Sequence, residues 1–328
     1  IEVVALQAGE TIVSERLRVN GMAPVFIGKH RGPDLTVISR LSDEMKRFSP
    51  DVVHSHLPIL HYVNPAAWRM HTMNRVHTIH NVAQKETGSR FKLAYAKYCY
   101  CKRLVRPVAL SEINRQTVVD FYGIPSDYVA VVPNGVDLSR FTPKTSYAIS
   151  GVPHICHVGR FQEAKNHAAI IEAASLLKRK GVSVVFDLYG EGGLMEAARA
   201  QVEDLGIADM VVFHGLTADV PRAMSAADIF VLPSLWEGIP MVIAEAMAAG
   251  LPIVASRVGG IPDMIADGTD GVLCEPNGAS LAERIERLIS DARLRASIGS
   301  AAREKSHLFS SSLMAERYLK VYTENARG

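Results

Sequence analysis

The chain has 328 residues, 48% of them hydrophobic and 21% charged, a composition suited to two folded domains of roughly 150 residues each. That excludes a disordered chain, a collagen-like fibre and a small disulfide-stapled scaffold. A formal net charge of +2 argues against a nucleic-acid partner.

In chain order, the predicted strands of the first half are Val3–Leu6, Ala23–Ile27, Asp51–His56, Val76–His80, Pro107–Leu110 and Tyr128–Val132. Those of the second half are His154–Val158, Val184–Leu188, Met210–His214, Ile229–Pro233, Pro252–Ser256 and Gly271–Cys274. Most are short, β-branched and almost continuously apolar, as strands buried on both faces must be. The longest apolar runs, such as Ile229–Leu232, fall far short of the ~20 residues that span a bilayer. No secretory leader pattern is visible. Helical patterns lie between the strands. In Asn166–Lys180, Ile170, Ile171, Ala174 and Leu177 share one face, with Asn166 as N-cap and Gly181 as the stop.

Strand–helix alternation predicts an α/β protein with doubly wound parallel sheets. About a dozen strands are too many for one sheet. The Thr-, Ser-, Gly- and Pro-rich segment Pro143–Pro153 offers a break. Two Rossmann-like domains with a ligand cleft between them are therefore expected, the cleft lined by residues just after each strand. Phe309, Leu313, Tyr318 and Val321 fit a terminal amphipathic helix. It either crosses back to the first domain or caps the second.

Charge is uneven. Residues 1–150 hold 19 Lys and Arg against 12 Asp and Glu, and the remainder 17 against 22. This suggests different partners for the two halves, or chance asymmetry. Cys99, Cys101, Cys156 and Cys274 include no C-x2-C pair. They read as reduced thiols serving as small hydrophobes, not as a zinc site.

The richest stretch is Leu232–Met247, which leaves a buried strand and opens a helix. Pro240 suits the first helical position. The N–H groups of Gly238, Ile239, Met241 and Val242 would then point out of the helix start, a natural seat for a diphosphate or a sugar hydroxyl. Glu237 and Glu245 are eight apart, a spacing that recurs at Glu2/Glu10, Glu275/Glu283 and Glu316/Glu324 and so means nothing alone. Context separates them. Glu237 lies in a strand-to-helix loop. Glu245 borders the apolar face of Val242, Ala246 and Ala249, where a partly buried carboxylate needs partners such as ribose hydroxyls, unless it is simply solvated.

Arg160 directly follows a strand and Lys165 precedes a helix, two cations suited to a diphosphate or to surface salt bridges. Gly159, Gly190 and Gly215 sit in turns after strands, where backbone could approach a nucleobase. His54, His56 and His80 end neighbouring strands. With no carboxylate completing a set, His80 reads as a hydrogen-bonding cleft residue or a structural histidine, and no metal is expected. Phe91–Arg106 is basic and aromatic, either a helix resting on an anionic membrane or an ordinary domain helix with a solvated face. No Gly-x-Ser-x-Gly elbow and no Walker phosphate loop occur.

Taken together these segments resemble the retaining GT-B glycosyltransferases of family 4. The matching motifs are Pro50–His56, His77–Asn81, Val132–Asp137, His157–Phe161 with Lys165-Asn166, Trp236–Ala249 and Ser256–Gly260. The resemblance runs from about residue 50 to the end and is strongest over 151–279. It implies two Rossmann-like domains facing across a cleft: residues 1–145 for the acceptor, 146–308 for the nucleotide-sugar donor, and 309–328 as a helix crossing back. It implies an enzyme, active without metal or cofactor, that moves a sugar from a nucleotide sugar, by family habit a UDP-sugar, to a saccharide acceptor. The reduced thiols point to a cytoplasmic protein, and the basic aromatic stretch Phe91–Arg106 makes room for a lipid-linked acceptor and for peripheral contact with the inner face of an anionic membrane.

By the same resemblance, Glu245 would bind the ribose hydroxyls, and Glu237 with the amides from Gly238 to Val242 the donor sugar. Arg160 and Lys165 would hold the departing diphosphate, the loops at Gly190 and Gly215 would flank the base, and His80 would stand near the reacting sugar. Two departures are visible. The family opens with a strand and a Gly-Gly loop, whereas residues 1–30 align with a later helix and strand. That raises a truncated, nucleotide-sugar-binding but inactive protein as the alternative. Position 263 is Asp where the family has Glu.

Overall fold

The computed structural model describes residues 1–72 and 74–325. All twelve expected strands form: β1 Val4–Ala5, β2 Val25–Phe26, β3 Val52–His56, β4 Asn74–Ile79, β5 Arg106–Ala109, β6 Ala130–Val131, β7 His154–Val158, β8 Val185–Tyr189, β9 Val211–Gly215, β10 Ile229–Leu232, β11 Ile253–Ser256 and β12 Val272–Cys274. The chain divides into two compact units, residues 1–132 with those from Arg317 onward, and residues 133–316.

The second unit holds one six-stranded parallel sheet in the order β12-β11-β10-β7-β8-β9. This is the Rossmann order, and it places the topological switch between β7 and β10. The physical cause is legible in β10. Ile229 and Val231 enter one core with Ile170 and Leu177, while Phe230 and Leu232 enter another with Ile243 and Met247. A strand apolar on both faces can only sit mid-sheet between two helical layers.

Helix His167–Arg179 stops as expected. Gly181 takes φ +74°, and the Val182 and Gly181 N–H groups return to the Leu177 and Lys178 carbonyls, a Schellman closure. Its start differs from expectation. Asn166 occupies the cap position at φ 52° but makes no side-chain cap bond. Its amide instead donates to the carbonyls of Pro233 and Pro276, at 3.0 Å each.

The first unit has two sheets where one was expected. β3-β4-β5-β6 are parallel in that order, and among the described residues β1 pairs only with β2. The segment 133–145, which the sequence patterns place with the first domain, packs on the second. Phe141 is buried among its core residues, the Lys144 N–H donates to the Ala249 carbonyl, and Val136 exchanges backbone bonds with Phe309 and Ser311. Local composition marked the flexible stretch, but long-range packing decided the boundary.

The final helix, Ser311–Asn325, belongs to the second unit through Glu316 and to the first from Arg317. In the first unit the Tyr322 hydroxyl meets His54 Nδ1 at 2.7 Å, and the Tyr318 hydroxyl meets Thr78 Oγ1 at 2.9 Å.

Candidate active site

The carboxyl ends of β7 and β10 lie side by side at the switch point, so the loops that follow them meet. Lys165 Nζ donates to Glu237 Oε1 at 2.5 Å, and the Ser234 hydroxyl donates to the same oxygen at 2.7 Å. Both charged side chains are mostly shielded, 22% and 12% exposed. The loop carrying Glu237 is tethered along its length. The Leu235 N–H donates to the Ala164 carbonyl at 2.9 Å. Asn166 holds the Pro233 carbonyl, and the Ser256 hydroxyl donates to the Ser234 carbonyl at 2.5 Å. The Gly260 N–H reaches the Gly238 carbonyl at 3.0 Å.

Gly259 must be glycine. It takes φ +52°, and a Cβ there would lie 1.8 Å from the Glu237 carbonyl oxygen. The Gly259-Gly260 pair is thus a backbone cradle for the carboxylate loop.

Helix Met241–Ala248 begins one residue later than expected, because Pro240 is its cap and not its first residue. The N–H groups of Gly238, Ile239, Met241 and Val242 have no acceptor among the described residues. Arg160 is exposed directly after β7, and its guanidinium has no partner among the described residues. Glu245, half-buried one helical turn on, likewise accepts no hydrogen bond among them. Burial raises its carboxyl above the usual range, and the positive charge of Arg140 opposes that rise. The second unit therefore presents a cation, four open backbone donors and a poised carboxylate beside a positioned Lys165–Glu237 pair. That set suits an anion flanked by hydroxyl groups.

The glycines after β7 and β8 and the one that ends β9, Gly215, expected in the turn beyond it, lace the strand ends together. The Gly159 N–H donates to the Tyr189 carbonyl at 2.9 Å, and the Gly190 N–H to the Gly215 carbonyl at 2.8 Å. Gly190 takes φ +141°, where a Cβ would fall 2.0 Å from the Gly159 oxygen. Their close approach is thus backbone to backbone.

Beneath these loops His157 is fully buried. Its Nδ1 meets the Val231 carbonyl at 3.0 Å, while Nε2 and both ring nitrogens of His167 have no partner among the described residues. Burial holds His157 at about 4 and His167 at about 2, so both stay neutral.

In the first unit His80 follows β4 and is half-buried. Its Nε2 meets His56 Nδ1 at 3.0 Å. Burial lowers the His80 pKa, holds His56 at about 4 and holds His54 and His77 at about 3. Among the described residues no group of three or more His, Cys, Asp or Glu converges to hold a metal ion. These depressed imidazoles bear on stability. The unfolded chain, with ordinary values near 6.5, binds more protons below that pH than the folded one. Stability is therefore expected to fall as pH drops from about 6.5 toward 4. A melting temperature that stays flat across that window would contradict it.

Sequence reasoning had placed Arg160, Lys165, Glu237, Gly238 and Glu245 around one crevice, but had assigned Lys165 and Glu237 to different ligand groups. The structure joins them. It adds Ser234 and Arg140, which no pattern singled out, and gives Asn166, read from the sequence as a helix cap, the task of holding the Pro233 carbonyl.

Residues 142–305 match the family Glycosyl transferases group 1, and residues 1–140 match Glycosyltransferase Family 4. The chain is 30% identical over 301 residues to D-inositol 3-phosphate glycosyltransferase of Paenarthrobacter aurescens, covering 85% of this chain and 74% of that one. It is 29% identical over 260 residues to the Escherichia coli UDP-Gal:alpha-D-GlcNAc-diphosphoundecaprenol alpha-1,3-galactosyltransferase, covering 74% and 67%. Among solved structures, a glycosyltransferase from Rickettsia africae superposes with TM-score 0.83 at 21% identity, over 99% of this chain and 90% of that one. Anabaena HepE in complex with UDP superposes with TM-score 0.82 at 20% identity, over 98% and 92%. The chain belongs to the family 4 glycosyltransferases and has the GT-B fold of two Rossmann-type units. It is a glycosyltransferase.

Proposed function

We propose that the protein transfers a hexose from a UDP-sugar to a hydroxyl of a saccharide or lipid-linked acceptor, with retention at the anomeric carbon and without a metal ion. The observation that carries this reading is the Lys165–Glu237 pair at the switch point, flanked by the unpaired Arg160 and the open donors of Gly238 to Val242. The two relatives above, one of them a UDP-Gal:alpha-D-GlcNAc-diphosphoundecaprenol galactosyltransferase, support the donor and acceptor classes.

In this reading Glu245 accepts hydrogen bonds from the ribose hydroxyls. Arg160, Lys165 and the open amides neutralise the diphosphate. Glu237 orients the donor sugar, and His80 stands near it. The acceptor oxygen bonds to the anomeric carbon on the face from which the diphosphate oxygen leaves. The acceptor proton passes to that departing oxygen, so no protein nucleophile is needed. Rate enhancement then comes from positioning and from charge stabilisation of the leaving group.

The first unit would bind the acceptor. Its helix Arg90–Cys101 buries Ala96, Cys99 and Tyr100 and exposes Phe91, Lys97 and Tyr98. That outward face supports peripheral contact with an anionic membrane on the cytoplasmic side. Among the described residues no helix is long and apolar enough to cross a membrane.

Calorimetric titration with UDP, GDP and ADP tests the donor site. UDP should bind at micromolar affinity, and Glu245→Ala should weaken it about tenfold, through loss of charge-assisted hydrogen bonds. No nucleotide binding would discard the reading. Binding without transfer of any UDP-sugar would select the inactive, nucleotide-sugar-binding alternative.

A further inference from the structure

His54 and His56 alternate with Ser55 on β3, so both rings stand on one face of the sheet. Thr78 is paired with His56 across the ladder, and His80 follows two residues on. The final helix closes on this row at His54. The Tyr322 hydroxyl meets His54 Nδ1 at 2.7 Å, and Thr78 Oγ1 meets its Nε2 at 2.8 Å. Thr78 is itself held by the Tyr318 hydroxyl at 2.9 Å. With both nitrogens bonded, the His54 ring cannot turn over without breaking two hydrogen bonds.

His56 packs on that fixed ring, at 4.3 Å between centroids. Its Nδ1 meets His80 Nε2 at 3.0 Å. His56 is partly open to solvent, so these two contacts are what orient it among the described residues. The backbone just past His80 is held as well, since the Asn81 N–H donates to Glu86 Oε2 at 3.3 Å. His80 Nδ1 makes no hydrogen bond among the described residues.

Burial lowers the pKa of all three imidazoles, so near neutral pH each ring carries one N–H and one open lone pair. Nε2 of His80 is committed to His56 as donor or as acceptor. Whichever it is, Nδ1 takes the opposite role, so the bond sets both the tautomer of His80 and the nitrogen it has left for a ligand.

We propose that His56 is a positioning residue that holds His80 by Nε2 and leaves Nδ1 to meet a hydroxyl of the donor sugar, with the final helix steadying His56 through Tyr322, Tyr318 and His54. The proposal rests on the reading that His80 stands near that sugar.

The test uses the full chain carrying isotope-labelled histidine, and NMR of the imidazole nitrogens. Wild type should show His80 in a single neutral tautomer. In His56→Phe, which keeps a ring on His54 and removes the bond to His80, the two tautomers should mix. Turnover is read as release of UDP from UDP-glucose or UDP-galactose with water as acceptor. In His56→Phe kcat should fall about tenfold, while KM and UDP affinity change by less than about threefold. His56→Asn, whose amide stands where Nδ1 stood, should restore most of both readouts. Among substitutions of His80 itself, Asn places its amide at Nδ1 and Gln at Nε2, so His80→Asn should keep more turnover than His80→Gln.

Mixed tautomers in wild type, or a single unaltered tautomer in His56→Phe, overturn the proposal. Equal or reversed turnover in the two His80 variants overturns the choice of Nδ1. Mixed tautomers in His56→Phe with wild-type kcat also overturn it, and trace the failure to the place given to His80 and not to the bond. UDP is titrated first, so failure of the donor reading shows separately as failed UDP binding.

Discussion

Replacing Glu237 with glutamine is expected to lower turnover of a UDP-sugar by about 100-fold while changing UDP affinity by less than about threefold, the size of effect that follows loss of one preorganised charged group. The carboxylate is held from three directions: by Lys165, by Ser234 and by the Gly259-Gly260 cradle under its own backbone. Such restraint is the condition for stabilising a transition state without reorganisation. The amide substitution keeps the shape and removes the charge, which leaves Lys165 without its counter-ion. Part of the loss could therefore come from a misdirected ammonium. A double-mutant cycle resolves this. If the pair acts as one unit, Glu237→Gln/Lys165→Met should be no worse than the worse single variant. Additive losses would mean two independent roles. Wild-type turnover in Glu237→Gln would sink the site assignment.

The second large effect is expected at Arg160. Arg160→Ala should lower kcat/KM by about 100-fold, since a cation facing a leaving diphosphate acts mainly on the charge developing there. Its melting temperature should stay at the wild-type value, because the side chain is exposed and makes no bond within the described residues. Arg160→Lys should recover only part of the rate, since an ammonium cannot grip two phosphate oxygens as a guanidinium does. Lys165→Ala is the contrasting case. It should lose rate and also stability, because it strands a shielded carboxylate. Equal losses of stability in both variants would contradict the different surroundings assigned to the two cations. Full activity in Arg160→Ala would remove it from the diphosphate site.

Much of the fold was legible because its strands are buried on both faces. β7, His154–Val158, has the bounds that its apolar run sets, and β10 could be recognised from four consecutive apolar residues. Turn chemistry was legible where it is local, as in the Gly181 stop. Asn166 was misread because its side chain serves residues 67 and 110 positions away and not the nearest N–H groups. The boundary between the units was misplaced because a loop's composition reports its flexibility, not which core it packs on. β1 and β2 were recognised as strands, but nothing in their residues said that they would pair only with each other.

The candidate site divides the same way. The amino-acid sequence by itself determined the residue types and their places just after strands: Arg160 and Lys165 behind one, Glu237 behind another, Glu245 on the apolar border of a helix. These follow from local periodicity and from the rule that parallel sheets present their ligands at carboxyl ends. Only the tertiary structure decided that Lys165 and Glu237 pair across 72 residues and that Gly259 supports the carboxylate loop from below. Those contacts depend on strand order, and strand order is set by which buried faces find one another when the sheet assembles, a long-range choice that no short stretch of sequence encodes.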